Sequence, residues 1–346
     1  MTSDPIEGLT KRADRYRSLV RDEMRHVVGD SPDGLYAWMR YHLGWEDIEG
    51  HPEHASGGKM LRPVAVLLAT EACGGRAEQA VPAAAAVELV HNFSLLHDDV
   101  EDRSDFRRGR ANVWTFAGVA QAINTGDGMF TLARLATYRL IEAGIPAERV
   151  VAAMRELDEA CMRLVEGQYL DISFETRIDV TQDEYWQMAA GKTAAMFAAP
   201  FAMGAAIAGA TPRVVEAFRE FGRHIGLAFQ AVDDILGIWG DSAVTGKPVG
   251  DDLLSRKMTY PVIAALDAGG DASMLLRRAY GQASKPGEDV APLAALITET
   301  GARALTQSMA EHEEAAALGA LRAGGLSPEV IAWCTEFARA AVVRVT

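Results

Sequence analysis

The chain has 346 residues, of which 49% are hydrophobic, and its formal net charge at pH 7 is −14. The apolar content is ample for a large core, and the acidic balance argues against a nucleic-acid-binding protein, because such proteins neutralise phosphates with Lys and Arg. The three cysteines, Cys73, Cys161 and Cys334, are far apart and lack metal-ligand spacing, so we expect free thiols in a reducing compartment. The N-terminus lacks the basic and apolar regions of a secretory signal, and the expected location is the cytoplasm.

Helical periodicity runs through nearly the whole chain. Amphipathic helices are predicted at 9–26 and 35–43, followed by a loop at 44–58. Helical stretches rich in Ala, Leu and Val follow at 64–73, 78–102, 115–143, 147–173, 181–208, 212–240 and 259–267, and in pieces over 291–344. The segment near 269–289 is predicted to be a surface loop. Because no stretch alternates β-branched residues with period two, we predict an all-α bundle of more than four helices, forming a single domain over residues 1–346.

The stretch 193–210 is almost uncharged and approaches the length of a membrane span. Its apolar residues are mostly Ala and Gly, and Pro200 lies inside it. Since Ala is far less lipophilic than Leu or Ile, we predict a buried central helix and no membrane span.

Two acidic pairs end apolar runs. Asp98 and Asp102 lie four residues apart, so on a helix they project from one face and repel each other. A multivalent cation would remove this repulsion, and the geometry suits Mg²⁺, which keeps several waters and uses substrate phosphates as further ligands. Asp233 and Asp234 form the second pair. Two such pairs on separate helices could face each other across a cavity and hold metal between them.

Cationic side chains stand beside glycine turns and beside the acidic pairs. In an acidic chain this arrangement suggests diphosphate binding, since Arg offers a planar fork of donors and Lys a point charge. The positions are Lys59, Arg62, Arg107, Arg108, Lys192, Lys247, Arg256 and Lys257.

In their order along the chain, these features resemble the trans-isoprenyl diphosphate synthases, or polyprenyl synthetases, from residue 57 to about residue 266. A lone DDxxD motif is weak evidence, whereas the ordered set is specific. The set comprises Gly58-Lys59-Met60-Leu61-Arg62-Pro63, Glu88-Leu89-Val90-His91, Asp98-Asp99 with Asp102, Arg107-Arg108-Gly109, Gly191-Lys192-Thr193, Gln230 with Asp233-Asp234, Lys247 and Lys257.

The resemblance implies an all-α fold of antiparallel helices around a deep central cavity, usually in a homodimer. It also implies Mg-dependent condensation of isopentenyl diphosphate with an allylic prenyl diphosphate. The allylic C–O bond ionises, the alkene attacks the carbocation, and the released diphosphate removes a proton. Metal and cationic side chains would stabilise the departing charge, and a dry cavity would protect the carbocation from water.

The resemblance further assigns roles to individual residues. About three Mg²⁺ ions would be bound by Asp98, Asp102 and Asp233, with Asp99 and Asp234 in support. The allylic diphosphate would be bound by Arg107, Lys192, Lys247 and Lys257, and isopentenyl diphosphate by Lys59, Arg62, His91 and Arg108. The catalytic group would be Lys192, Thr193 and Gln230, the last two through oxygen dipoles directed at the carbocation.

The sequence departs from the family pattern in both motif regions. Gly237 stands where many relatives have a third Asp. Asp241, nearly two helical turns beyond the pair and about 10 Å away, cannot simply replace that Asp, so we expect weaker metal retention rather than inactivity. Met60 replaces a frequent Arg, and Ala111 and Trp114 replace a frequent Pro and His.

Product length is predicted from Phe93, which lies five residues before Asp98. At 1.5 Å per residue this places the ring about 7 to 8 Å along the helix, where it could form a floor for the growing chain or be a core residue only. The next residue is the small Ser94. By resemblance the pattern fits a geranylgeranyl (C20) synthase, with a farnesyl (C15) synthase as the alternative.

Two further alternatives remain at this point. A class I terpene cyclase shares the α-fold and the acidic metal site but binds one diphosphate, and it has little use for a second group at Lys59, Arg62, His91 and Arg108. A non-catalytic subunit of a heteromeric synthase is disfavoured because both acidic pairs are present, although the missing acid at Gly237 is one feature in its favour.

Overall fold

The computed structural model describes residues 5–53, 58–240, 250–284 and 287–342, with the backbone alone for residues 5–10. The described helices in the first part of the chain are α1 (Pro5–Val28), α2 (Gly34–His42), α3 (Leu61–Ala72), α4 (Ala77–Glu101), α5 (Val113–Ala117), α6 (Val119–Glu142), α7 (Ala147–Phe174), α8 (Gln182–Ala189) and α9 (Ala195–Ala208). They continue with α10 (Pro212–Trp239), α11 (Asp251–Leu254), α12 (Tyr260–Asp267), α13 (Gly270–Tyr280), α14 (Ala291–Glu299), α15 (Ala302–Gly324) and α16 (Pro328–Val342). A π-helical turn, Ala190–Ala194, joins α8 to α9.

The strands in this part of the chain are two short ones, β1 (Phe106–Arg107) and β2 (Arg110–Ala111), which pair antiparallel. The all-α prediction is therefore confirmed. No helix among the described residues combines the length and the apolar character that crossing a membrane requires. In the stretch that raised this question, Phe197, Phe201 and Met203 are fully buried, as predicted for a central helix.

The first compact unit comprises Met1–Asp158 and Ala199–Phe218. Within it α4 packs against α1, α3 and α6. The alanines at positions 83–86 of α4 and the following Val87, Leu89 and Val90 are fully buried, and small side chains let neighbouring helices approach closely. Burial of apolar surface at about 25 cal/mol per Å² fixes this helix, and so fixes the acidic motif at its C-terminal end.

The second compact unit comprises Glu159–Ala198 and Arg219–Thr346. Its core includes the fully or nearly fully buried Tyr185, Leu253, Tyr260 and Ile263, from helices α8, α11 and α12. Thr181 begins α8 with a capping box, in which its hydroxyl accepts from the Glu184 N–H and the Glu184 carboxylate accepts from the Thr181 N–H. The prediction of a single domain over residues 1–346 stays a prediction.

Two predicted boundaries were wrong. The stretch 115–143 is divided by Gly118, whose φ of 85° and ψ of 158° are readily available only to glycine. The segment near 269–289, predicted as a loop, contains α13. The helix follows the glycine pair Gly269-Gly270, which is typical of a turn, but Asp271 in its first turn and Arg277 in its last turn match the helix dipole and could have indicated it.

Candidate active site

The first acidic motif lies at the C-terminal end of α4. Asp98 is half-buried in the last turn, and Asp102 is the exposed C-cap residue, whose N–H donates to the Asp98 carbonyl over 2.8 Å. That last turn holds no basic residue. Carboxylates at the negative end of a helix dipole are unfavourable without a cation, so the motif is placed where bound positive charge stabilises it.

Asp99 differs from its neighbours because it is buried, with 2% of its surface exposed. Its Oδ1 accepts from Arg107 Nε over 2.8 Å and lies 2.7 Å from Arg107 Nη2. Burial raises the pKa of Asp99, and the Arg107 guanidinium opposes that rise. Its buried Oδ2 has no hydrogen-bond partner among the described residues. Asp99 therefore orients Arg107 from inside the unit.

The β1–β2 hairpin holds Arg107 and Arg108. Its register pairs Arg107 with Arg110, leaving a two-residue loop of Arg108 and Gly109. Both loop residues have positive φ, 54° and 75°, as a type I′ turn requires. Arginine rarely adopts this conformation, and strain of this kind is typical of functional positions.

The cationic positions of the first unit are close to one another. Arg62 Nη1 lies 3.4 Å from His91 Nε2. Gly58, with φ of 81°, lies so close to Arg108 that a Cβ there would be 2.8 Å from Arg108 Nη2. The side chain of Lys59 is exposed. Among the predicted isopentenyl diphosphate residues, Arg62 and His91 are thus in direct contact, and Gly58 leaves space for Arg108.

The surroundings of this group lower the basicity of its histidines. Burial, and next the charge of Arg62, lowers the pKa of His91 well below its ordinary value. Burial and then Arg107 lower the pKa of His42 to about 3. Burial also raises the pKa of Glu88, whose Oε2 has no hydrogen-bond partner among the described residues. The guanidinium groups consequently carry the positive charge here, beside neutral imidazoles.

In the second unit, Lys192 belongs to the π-helical turn, a feature that is frequent at functional sites. Its Nζ lies 2.5 Å from Asp171 Oδ2, and Lys257 Nζ lies 3.8 Å from the same oxygen. Burial would raise the pKa of Asp171, but the two lysines outweigh it and hold that pKa below its ordinary value. Asp171 therefore keeps two of the predicted diphosphate-binding lysines together.

A hydrogen-bonded chain leads from Thr193 into the interior. The Thr193 hydroxyl donates to Gln230 Oε1 over 2.6 Å, and Gln230 Nε2 donates to Asp234 Oδ1 over 2.9 Å. Asp234 Oδ2 accepts from the Tyr185 hydroxyl at 2.5 Å and from the Tyr260 N–H at 2.8 Å. Burial raises the pKa of Asp234 to about 7.

The two acids of the second pair consequently differ. Asp234 is 3% exposed and held by protein donors, whereas Asp233 is exposed on α10. Of this pair, Asp233 is the residue placed to bind an external cation. Lys247 and Asp241 lie outside the described residues.

Phe93, the predicted floor residue, packs against two other rings. Its ring centroid lies 5.1 Å from that of Phe130 on α6 and 5.3 Å from that of His97. Ser94 turns its hydroxyl to the His91 carbonyl, 2.8 Å away. The aromatic pair of Phe93 and Phe130 is more rigid than a single ring would be.

The family comparison identifies the family of this chain. Residues 51–297 match the family model described as polyprenyl synthetase, a span that covers the motif at the end of α4, the lysines around Asp171 and the α10 pair. The chain belongs to the polyprenyl synthetase family.

Individual relatives support the same conclusion. This polyprenyl synthetase is 44% identical over 311 residues to a geranylgeranyl diphosphate synthase of Mycobacterium tuberculosis, covering 89% of this chain and 87% of the relative. It is 42% identical to a (2E,6E)-farnesyl diphosphate synthase of Mycobacterium bovis, covering 93% and 81%. The crystal structure of a polyprenyl synthetase from Streptomyces coelicolor is 41% identical, with a TM-score of 0.89 over 95% of this chain and 98% of that one.

The donors of this polyprenyl synthetase fit a hard divalent metal ion. In the first unit the candidate ligands, Asp98 and Asp102, offer carboxylate oxygens, which Mg²⁺ prefers, at the negative end of α4 and next to Asp99, whose Oδ2 has no hydrogen-bond partner among the described residues. In the second unit Asp233 offers an exposed carboxylate on α10. That both groups serve one reaction stays a prediction.

An exposed group elsewhere among the described residues, Asp47, Glu49 and His51, could also hold a cation. Asp47 Oδ1 accepts the N–H groups of Glu49 and His51, each over 2.9 Å. Hydrogen bonds within a turn account for this cluster, and we assign no metal to it.

Sequence reasoning missed several residues that organise the site. Asp171 and Tyr185 lie outside the motifs, and Glu88 lies in a motif but was given no role. The available signal was weak: Glu88 is an acidic residue within an otherwise apolar helical stretch, where a charge needs a partner, whereas Asp171 lies in a helix with many charged residues and has no such signal.

Proposed function

We propose that this prenyltransferase condenses isopentenyl diphosphate with an allylic diphosphate and makes geranylgeranyl diphosphate (C20) as its main product. The observation that carries the proposal is the presence of two separate cationic groups. One contains Arg62, His91 and Arg108, and the other contains Lys192 and Lys257 around Asp171. Two diphosphate-binding groups fit a two-substrate condensation, whereas a terpene cyclase needs one.

Lys192 and Lys257 of the second unit would bind the diphosphate that leaves the allylic substrate. Lys192 and Lys257 share Asp171, so an arriving diphosphate meets two ammonium groups that are already positioned. Arg107, oriented by Asp99, would supply a forked donor. Asp98, Asp102 and Asp233 would hold Mg²⁺, about three ions in total, and bound Mg²⁺ would neutralise charge on the leaving oxygen.

The first unit would bind isopentenyl diphosphate through Arg62, Arg108 and Lys59. Neutral His91, beside Arg62, can donate one hydrogen bond without adding charge. Glu88 is buried near these arginines; burial raises its pKa, and the charges of Arg62 and Arg108 oppose that rise.

The carbocation would be stabilised by oxygen dipoles of Thr193 and Gln230. Their mutual hydrogen bond and the link to Asp234 fix both side chains, and fixed dipoles stabilise developing charge without reorganisation. Phe93 against Phe130 would stop chain growth at C20. The farnesyl (C15) product is the second candidate, because a relative that is 42% identical carries that name.

The proposal includes a homodimer. Large apolar side chains are exposed along one face of α6, at Leu135, Tyr138 and Ile141, and along α7, at Met162, Val165 and Tyr169. Exposed apolar side chains such as these, on α6 in the first unit and on α7 in the second, mark interaction sites, and a second copy of the chain is the occupant we propose. Cytoplasmic location is proposed on the three free cysteines, of which Cys161 and Cys334 are buried.

The test is incubation of purified protein with Mg²⁺, isopentenyl diphosphate and, separately, dimethylallyl, geranyl or farnesyl diphosphate, followed by measurement of product length. C20 diphosphate should be the main product. The Asp98→Asn variant should lose at least 100-fold in turnover. Asp105 is exposed and lies outside the motif, so the Asp105→Asn variant should retain wild-type turnover. Conversion of one prenyl diphosphate to hydrocarbon without elongation would favour a cyclase, and no turnover with any primer would favour a non-catalytic subunit.

A further inference from the structure

The missing acid of the second motif leaves a space that another carboxylate fills. Gly237 lies four residues after Asp233 on α10, so the two positions share one face of the helix, with Cβ positions about 5 to 6 Å apart. A Cβ on Gly237 would lie 2.6 Å from Asp252 Cγ and closer still to its Oδ2. The Asp252 carboxylate therefore occupies the volume that an acidic side chain at position 237 would use.

The local backbone holds Asp252 in this place. Gly250, with φ of 75°, turns the chain into α11, and the Leu253 N–H donates back to the Gly250 carbonyl over 2.9 Å. Leu253 is fully buried and anchors the short helix. The Lys257 N–H donates to the Asp252 carbonyl over 2.8 Å. These contacts set the direction of the side chain, which is short and has few rotamers.

We propose that Asp252 is the third carboxylate of the second metal motif, positioning the Mg²⁺ that Asp233 binds in place of the acid lost at Gly237. The inference rests on the proposed function, since it assumes that Asp233 holds Mg²⁺. It replaces the sequence-based expectation of weaker metal retention, because the carboxylate is supplied from a different helix instead of being absent. The glycine is required as well: any side chain at 237 would displace Asp252.

The proposal is tested by calorimetric binding of inorganic diphosphate at increasing Mg²⁺, which needs no turnover. Asp252→Asn keeps the shape but removes the charge, and Gly237→Ala displaces the carboxylate while adding a better helix former. Each should raise the Mg²⁺ concentration that half-saturates diphosphate binding by about tenfold, the scale seen when supporting groups of metal sites are removed. Asp251→Asn, the neighbouring acid, is the matched control and should stay within about twofold.

Moving the carboxylate from position 252 to position 237 distinguishes a role in metal binding from a merely structural role. Gly237→Asp alone places two carboxylates in one volume and should lower the unfolding temperature. Gly237→Asp with Asp252→Ala returns a single carboxylate to the site and should restore both the unfolding temperature and the Mg²⁺ dependence to within about threefold of wild type. Such rescue is non-additive, as expected for two groups that share one position.

Failure of the Asp252 proposal and failure of the proposed function give different results. If wild type binds diphosphate with Mg²⁺ dependence and Asp252→Asn binds it equally well, the role of Asp252 is refuted and the proposed function stands. A double variant as defective as the sum of its single variants would also refute it. If wild type shows no Mg²⁺-dependent diphosphate binding and no elongation, the proposed function fails and the Asp252 inference with it.

Discussion

Each acidic motif begins with a pair of adjacent aspartates, Asp98-Asp99 or Asp233-Asp234, of which one is buried and the other is more exposed. Asp98 is half-buried and Asp233 exposed, whereas Asp99 and Asp234 are 2% and 3% exposed. The buried members hold Arg107 in one unit, and accept from Tyr185, Tyr260 and Gln230 in the other. An ionised buried carboxylate needs such donors. The second residue of each pair, Asp99 or Asp234, therefore fixes local geometry, and we propose the first, Asp98 or Asp233, as the metal ligand.

At the same scale, Phe93 is expected to set product length. Phe93→Ala removes the ring that contacts Phe130, and the freed volume should admit further C5 units, so product analysis should show chains longer than C20. The control is Leu96→Ala on the same helix, a buried residue at 1% exposure, which should lower stability by about 2 to 5 kcal/mol without lengthening the product. An unchanged product distribution in Phe93→Ala would show that Phe93 is a core residue only.

A second residue-scale prediction concerns His42 and pH. The folded protein keeps this imidazole neutral, because its pKa is lowered to about 3, while the unfolded chain takes up a proton below pH ~6.5. Stability is therefore lost as pH falls through 6.5, by about 2 kcal/mol between pH 7 and pH 5. Urea denaturation should show that His42→Gln loses about 2 kcal/mol less than wild type over this range, while His91 still contributes its own loss, and that the exposed His312→Gln behaves as wild type. Equal pH dependence in all three proteins would contradict the buried neutral imidazole.

At the scale of elements, the π-helical turn packs tightly against α7. A Cβ at Gly167 would lie 2.8 Å from the carbonyl carbon of Gly191 and 2.8 Å from Lys192 Cα. This close approach places Lys192 within reach of Asp171, which also lies on α7, one turn beyond Gly167. Gly167, Gly191 and the wider π-helical turn thus set the position of Lys192, a predicted diphosphate-binding residue.

Gly167→Ala should separate these two elements. Overpacking of this kind costs about 1 to 3 kcal/mol, and the displaced Lys192 should raise the KM for the allylic diphosphate more than it lowers kcat. Gly319→Ala on α15, where a Cβ meets nothing within 4 Å, is the control and should gain up to about 1 kcal/mol. Urea denaturation measures the stability of both variants, and steady-state kinetics measures their KM and kcat. Wild-type stability and KM in Gly167→Ala would show that the contact is not limiting.

At the scale of the molecule, a chain with a net charge of −14 repels its copies at long range, so association needs a local apolar surface. Exposed apolar side chains lie on α6 in the first unit, where Tyr138 is 51% exposed, and on α7 in the second, where Tyr169 is 72% exposed. These values are high for aromatic residues of a monomer. Association through this surface would remove them from water.

Light scattering on a sizing column should therefore report twice the monomer mass for wild type. Tyr138→Asp places a charge in the proposed interface and should shift the protein toward monomer at micromolar concentration. Met274→Asp, at 61% exposure on α13, adds the same charge elsewhere and should leave the mass unchanged. A monomeric wild type, or a dimer that persists equally in both variants, would refute this interface.

The sequence predicted most of the helices and the motif residues because both are local. Helical periodicity in α4, α7 and α10 is read within a few turns, and their bounds differ by few residues from the predicted stretches. The errors came where local signal was poor. Gly118 interrupts a helix through one conformation, and α13 is short and follows the glycine pair Gly269-Gly270, which is typical of a turn.

Order and spacing alone indicated the family, the two acidic pairs and the residues that we propose for diphosphate binding, since a motif is a property of neighbouring residues. Only tertiary structure decided which acid of each pair is buried, and that Asp171 bridges Lys192 and Lys257. It also decided that Asp252 fills the space at Gly237. These features depend on contacts between residues distant along the chain, and packing of helices, which no local pattern encodes, brings such residues together.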